Sequence, residues 1–223
     1  MTMQPPFSTL RESIREEIIS RVISGSLTPG DRIKESNLAH ELGVSSTPVR
    51  EAMISLEHSG FVLSVPRKGF VIAPFDPQEV RNLASAICIL ESAALRLCDS
   101  VDKDHLDELR KLNSEFRLAG EDMPLALDLD YRWHSLLLAP CPNRYLLQLI
   151  ESTQQSLRRY NRFHQKGKLN IERSASEHES VIDAIERNDV NVALRHLDRN
   201  WQISTELLVT KLESNEELES ARL

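Results

Sequence analysis

Two groups of residues in this 223-residue chain have the types and spacing to do chemistry. The first is Asp130-Tyr131-Arg132-Trp133-His134, with a carboxylate and an imidazole four residues apart. On a helix that spacing puts both on one face, where an oxygen and a nitrogen lone pair reach one point, as a divalent cation requires. His178, in the helical run Ser176-Glu177-His178-Glu179-Ser180-Val181-Ile182, is a third donor that can meet them. The same residues also make sense as hydrogen-bonding groups with no ion, because buried polar groups are normally satisfied by one another. Three ligands with an open position would also suit a catalytic metal. No His-Glu-x-x-His run or nucleophile constellation accompanies them, however, and an enzyme is not expected.

The second group is Gly43-Val44-Ser45-Ser46-Thr47-Pro48-Val49-Arg50-Glu51-Ala52. Short polar side chains at the start of a helix, with a cation one turn on, are what a helix in the DNA major groove needs for base edges and phosphates. Arg67, Lys68 and Gly69 form a second basic point further along. The bland alternatives are that Arg67 and Lys68 are a solvated turn and that Arg50 pairs with Glu51 or another acid.

The elements that must position these groups can be traced from periodicity. Leu10, Ile14, Ile18, Ile19, Val22 and Ile23 form a helical stripe that Ser8 or Thr9 can cap, ending near Gly25. Pro29-Gly30 forces a turn into a short extended segment at Ile33. Glu35 to Leu42 is a short helix closed by Gly43, and Ser45 or Ser46 starts a longer one that runs to about Ser59. Two helices joined by a tight glycine turn predict a helix-turn-helix. Two β-rich runs, 61–65 and 69–73, flank Pro66-Arg67-Lys68 and predict a hairpin, the wing. Pro74 and Pro77 interrupt the chain there, placing a boundary between a domain of residues 1–75 and one of 76–223. Beyond it the pattern is helical throughout, in about six helices near 77–98, 102–119, 122–139, 143–165, 170–187 and 189–213, broken at Gly120, Cys141-Pro142 and Gly167 among others. Residues 213–217 read as a fraying acidic tail. The fold class is therefore mainly α, with a small β wing.

A net charge of −7 disfavours DNA, yet residues 1–75 carry eight basic against eight acidic side chains. The acidic excess, 26 against 19, falls wholly in residues 76–223. A neutral domain can still bind phosphates if its cations share one face. Cys88, Cys98 and Cys141 are odd in number with no Cys-x-x-Cys spacing, which predicts free thiols rather than disulfides or a thiolate zinc site. No apolar run approaches the roughly 18 residues of a membrane span, no export signal is evident, and the expected compartment is the cytoplasm.

Pro29-Gly30, Leu38-Ala39, Leu42 to Ser45, Thr47 to Ala52, Gly60 and Gly69-Phe70-Val71, in that order, resemble the winged helix-turn-helix of the GntR family of bacterial transcriptional regulators. The resemblance covers nearly all of the first 75 residues. It implies operator DNA as partner, a homodimer, and DNA contacts from Ser45, Ser46, Thr47 and Arg50 with Arg67, Lys68 and Gly69 of the wing. Ser46 stands where that family usually has Arg, and Ser36 where some relatives have one, so the operator should differ from those of close relatives. Leu90-Glu91, Ala93-Ala94, Asp130 to His134 and Glu177-His178 through Ala193 resemble the all-helical FCD domain of the family's FadR-like branch. That second resemblance implies an effector-binding domain, in some members holding zinc or nickel through an Asp and three His. Asp130, His134 and His178 fall on three of those positions and Asn200 on the fourth, with His196 one turn earlier. Water, an effector, Asn200 or His196 then completes the site. An Arg that often assists carboxylate effectors is Ile87 here. Arg132, Arg158, Arg159, Tyr160 and Asn161 are the residues that can line the pocket instead, with a small organic acid as the implied effector. The whole reads as a ligand-responsive regulator, a repressor first, and not an enzyme.

Overall fold

In a computed structural model the chain divides into two compact units, Met1–Phe75 and Asp76–Leu223. The structure describes residues 9–23, 26–98, 101–163 and 170–220, without the side chains of 23, 159, 161–163 and 214–220. Ser8, Gly25, Gly167 and the side chains of Ile23, Arg159 and Asn161 lie outside the described residues.

The first unit opens with α1 (Leu10–Ile23). Thr9 Oγ1 accepts from the Glu12 N–H at 3.3 Å while Glu12 Oε2 accepts from the Thr9 N–H at 2.7 Å, a reciprocal cap that satisfies two helix-end donors. β1 (Arg32–Ile33) leads into α2 (Glu35–Leu42), which stops at Gly43. Gly43 holds φ at +65°, a left-handed conformation open to glycine without Cβ strain, and this re-aims the chain into α3 (Ser46–His58). Ser45 occupies the position before α3 in extended backbone, but its hydroxyl makes no capping bond. Val49, Ala52, Met53 and Leu56 of α3 are fully buried and pack with Ile14, Ile18, Ile19 and Val22 of α1. Burial of each large side chain stabilises by about 1.5–3 kcal/mol, so this stripe fixes which face of α3 points outward. β2 (Val62–Val65) and β3 (Gly69–Ile72) form the hairpin, and the sheet order is β1-β3-β2, antiparallel throughout.

The second unit is built from α4 (Pro77–Leu97), α5 (Lys103–Leu118), α6 (Met123–Leu137), α7 (Arg144–Phe163), α8 (Ile171–Glu186) and α9 (Val190–Ser220). Asp76, Asp102, Asp122 and Asn170 each cap the helix that follows through a side-chain oxygen, and prolines sit in the first turns of α4 and α6, where no amide proton is missed. α9 does not fray at Glu213: no glycine or proline interrupts the stretch, and its backbone stays helical to Ser220. α5 packs on α6 and α8, α4 on α7 and α9, and α8 on α9, around a core that includes Phe116, Trp133 and Leu137. Within that apolar interior lie Glu91, Asn113, His134, Gln154, His178 and Asn200, all buried. A buried polar group must find partners, so these six mark where the unit does more than pack. No helix among the described residues is long and apolar enough to cross a membrane.

Candidate functional site

Asp130 and His134 project from one face of α6, and His178 reaches them from α8. One ligand atom from each of the three lies within 4.8 Å of the others. The geometry goes further, because the orientation of both imidazoles is fixed from behind. His134 Nδ1 lies 3.0 Å from Glu91 Oε2 on α4. The two Glu91 oxygens also accept from Gln154 Nε2 at 2.6 Å and Trp201 Nε1 at 2.8 Å. Donors surround that carboxylate, so the His134 Nδ1 carries the proton and its Nε2 keeps the lone pair.

His178 is held the same way. Asn113 donates its Nδ2 to the Ala175 carbonyl at 2.9 Å, which fixes its amide orientation and turns Oδ1 toward His178 Nδ1 at 3.1 Å. The His178 ring stacks on Trp133 with centroids 3.7 Å apart and planes 7° apart. Its Nε2, 3.5 Å from Asp130 Oδ1, is buried with no hydrogen-bond partner among the described residues. Two imidazole lone pairs and a carboxylate thus converge on one point, a donor set that suits zinc or nickel.

Burial and neighbouring charges shift all three groups. Burial raises the pKa of Asp130, and Glu91 raises it further against the opposing pull of His134 and Arg173. Burial pushes His134 down, but the charge and hydrogen bond of Glu91, with Asp130, outweigh it and hold the imidazole above its ordinary value. His178 is held well below its ordinary value by burial, then by His134 and Arg173, so it stays neutral and able to ligate.

Asn200 of α9 lines the same cavity, 4% exposed, and its Nδ2 has no partner among the described residues. His196 does not join the group: its Nδ1 binds Glu177 Oε2 at 3.0 Å, one turn away. Two chambers meet at Asp130 and His134. One is walled by Ser174, Asn200, Ser204 and Lys211, the other by Tyr131, Gln154 and Arg158. Arg158 stacks 3.4 Å over the Tyr131 ring and lies 3.8 Å from Asp128. Arg132 is corrected from the expected lining: two residues from both Asp130 and His134, it points away from them and is exposed. Tyr160 is likewise buried against Glu79, 2.5 Å from its hydroxyl, and Ile87 is fully buried with no charge to offer.

In the first unit a shallow surface gathers Ser46, Thr47, Arg50, Lys68 and Gly69. Arg32 and Lys34, which the sequence did not single out, line it too. Ser45 and Arg67 are exposed but lie outside this concavity. Arg67 sits at the hairpin turn with φ +66°, after Pro66, with the Lys68 N–H bonded to the Val65 carbonyl at 2.9 Å, the pattern of a type II turn. Arg50 and Lys68 make no ion pair among the described residues, so both charges remain available to phosphate.

Sequence reasoning missed Glu91, Asn113, Gln154 and Trp201 as orienting groups. The signal was present: Glu91 stands in core register between Ile87 and Ala94, and Asn113 between Leu109 and Phe116, each a polar residue on an apolar stripe.

Comparison with known proteins supports both halves. Residues 10–72 match the model for bacterial regulatory proteins of the gntR family, and residues 82–202 match the FCD domain. The chain is 28% identical over 200 residues to YdhC of Bacillus subtilis, an uncharacterized HTH-type transcriptional regulator, covering 88% of this chain and 89% of that one. It is 23% identical over 197 residues to the gluconate operon transcriptional repressor of Bacillus licheniformis, covering 83% and 79%. The fold is similar to that of E. coli McbR/YncC, with a TM-score of 0.70 at 18% identity over 92% of this chain and 99% of that one.

Proposed function

Since the chain belongs to the GntR family of transcriptional regulators and carries an FCD domain, we propose that it is a cytoplasmic, homodimeric repressor whose hold on operator DNA responds to a small organic effector and a divalent metal ion. It is a regulator of transcription, not an enzyme. Operator contact falls to Thr47 and Arg50 of α3, with Ser45 and Ser46 at its start and Arg67, Lys68 and Gly69 of the wing, and two copies present two recognition helices to two half-sites. Ligand binding in the FCD domain biases the pair between operator-competent and operator-incompetent arrangements.

The observation that carries the reading is the buried convergence of Asp130, His134 and His178, both imidazoles oriented from behind by Glu91 and Asn113, at the junction of two chambers. These three would hold the ion, which when bound supplies a Lewis-acidic charge toward an effector oxygen. The ligand-binding role then falls to the chamber walls, where Asn200 replaces a fourth imidazole and leaves a position for the effector. Metal analysis of purified wild type beside His134→Ala and His178→Ala tests this. Near-stoichiometric zinc or nickel in wild type and little in either variant supports it; equal, near-zero content in all three removes the metal.

A further inference from the structure

Resting on the reading that α3 lies in the operator's major groove, we propose that Ile54 is a specificity-determining residue that packs on the 5-methyl group of a thymine in each half-site. The outward face of α3 follows from its buried one. Val49, Ala52, Met53 and Leu56 are fully buried, and at about 100° per residue the opposite side of the helix carries Thr47, Glu51 and Ile54, with Arg50 at its flank. Ile54 falls about 20° from Thr47 and about 10 Å further along the axis, near the centre of that face. It is 53% exposed, whereas the other large apolar side chains of the helix, Val49, Met53 and Leu56, are 0% exposed.

Charge around Ile54 identifies what covers it. Ile54 lines the shallow surface that gathers Thr47, Ser46, Ser36 and Gly69. Four cations line it too, Arg32, Lys34, Arg50 and Lys68, against the acids Glu35 and Glu51, and none of the four is in an ion pair among the described residues. Arg32 and Lys34 flank Ile33, the surface's other isoleucine, which is 7% exposed, so both cations point to the open side of the edge strand β1. An unpaired cationic rim is complementary to phosphate backbones and repels a basic protein surface. Phosphates give an isoleucine no apolar partner, and among the base edges of the major groove the apolar group is the thymine methyl. Base pairs stack about 3.4 Å apart, so with α3 along the groove that thymine stands about three steps from the contact made by Thr47.

Fluorescence anisotropy of the full chain on duplex DNA from the promoter beside its own gene tests the assignment, with thymines replaced one at a time by uracil, which removes the methyl and nothing else. One swap in each half-site should weaken wild-type binding about fourfold, the effect of leaving one methyl group unburied. Ile54→Ala should bind the natural DNA at least about fourfold more weakly and respond less than about 1.5-fold to that same swap. Truncation at so exposed a position keeps the fold, which circular dichroism checks. Wild type indifferent to every swap overturns the proposal, and so does a swap that costs Ile54→Ala as much as it costs wild type. A loss in Ile54→Ala that tracks dissociation of the dimer in sedimentation velocity also overturns it and puts a second copy against Ile54. If wild type shows no sequence-selective binding, the operator reading itself fails; selective binding that ignores every swap leaves that reading intact and removes the role of Ile54 alone.

Discussion

Replacing Glu91 with glutamine probes the design of the site without touching a ligand atom. Three donors meet on its two oxygens, from His134, Gln154 and Trp201. In Glu91→Gln the new amide oxygen can keep His134 and Trp201, and Gln154 can rotate its own amide to accept from the new NH2. Contacts survive but lose charge assistance: hydrogen bonds to a charged group are worth about 1.5–3 kcal/mol and neutral ones about 1 kcal/mol. Three such losses sum to roughly 1.5–6 kcal/mol, partly offset because no charge is then buried, leaving about 1–3 kcal/mol. The metal should suffer more specifically, because a carboxylate behind a ligating imidazole raises its basicity and fixes its ring; losing it weakens affinity about 10–100-fold. Urea denaturation reads the first effect and competitive zinc titration against a chromophoric chelator reads the second. Glu91→Leu, which orphans all three donors, should cost roughly 3–9 kcal/mol and leave little folded protein. A folded Glu91→Gln that binds zinc within threefold of wild type would refute the positioning role.

Arg50→Ala should lower operator affinity about 5- to 150-fold without altering the circular dichroism spectrum, as fluorescence anisotropy can measure. Arg67→Gly acts on two readouts in opposite ways: glycine suits φ +66°, so stability should hold within about 1 kcal/mol or improve, while operator binding weakens. Loss of both together would mean the wing turn matters only structurally. Zinc affinity should fall as pH drops from 7.5 to 5.5, because protons compete for His134, whose folded value lies above the ordinary 6.5, while His178 stays neutral; pH-independent affinity would contradict this. In the metal-free protein the two histidines pull stability in opposite directions. His134, raised, adds stability below about pH 6.5 that is lost as pH climbs through its folded value; His178, depressed, subtracts stability as pH falls below about 6.5, where the unfolded chain takes up a proton. His178→Gln should therefore gain on wild type in apo melting temperature between pH 7.5 and 5.5.

Local rules made the first unit legible: the Pro29-Gly30 turn, Gly43 and the apolar stripe of α3 each specify their own geometry within a few residues. Helix faces were also legible, which is why Asp130 and His134 could be paired from spacing alone. Distances between helices were not. Nothing local says that Glu91 of α4 meets His134 of α6, or that Asn113 of α5 meets His178 of α8, because those contacts depend on how six helices pack. Arg132 and His196 show the same limit from the other side: each has a suitable side chain near the site in sequence, but helical phase turns Arg132 outward and Glu177 engages His196. The end of α9 was misplaced because acidic composition suggested fraying, whereas the absence of glycine and proline let the helix run on to Ser220.

The most direct test is titration of the full chain, with and without zinc, onto duplex DNA from the promoter beside its own gene, with Thr47→Ala/Arg50→Ala and His134→Ala/His178→Ala as comparisons. The account predicts salt-sensitive, sequence-selective binding by wild type that shifts on adding zinc, near-complete loss in the first variant, and binding without a zinc response in the second. Binding that ignores sequence, or that persists unchanged in Thr47→Ala/Arg50→Ala, would contradict it.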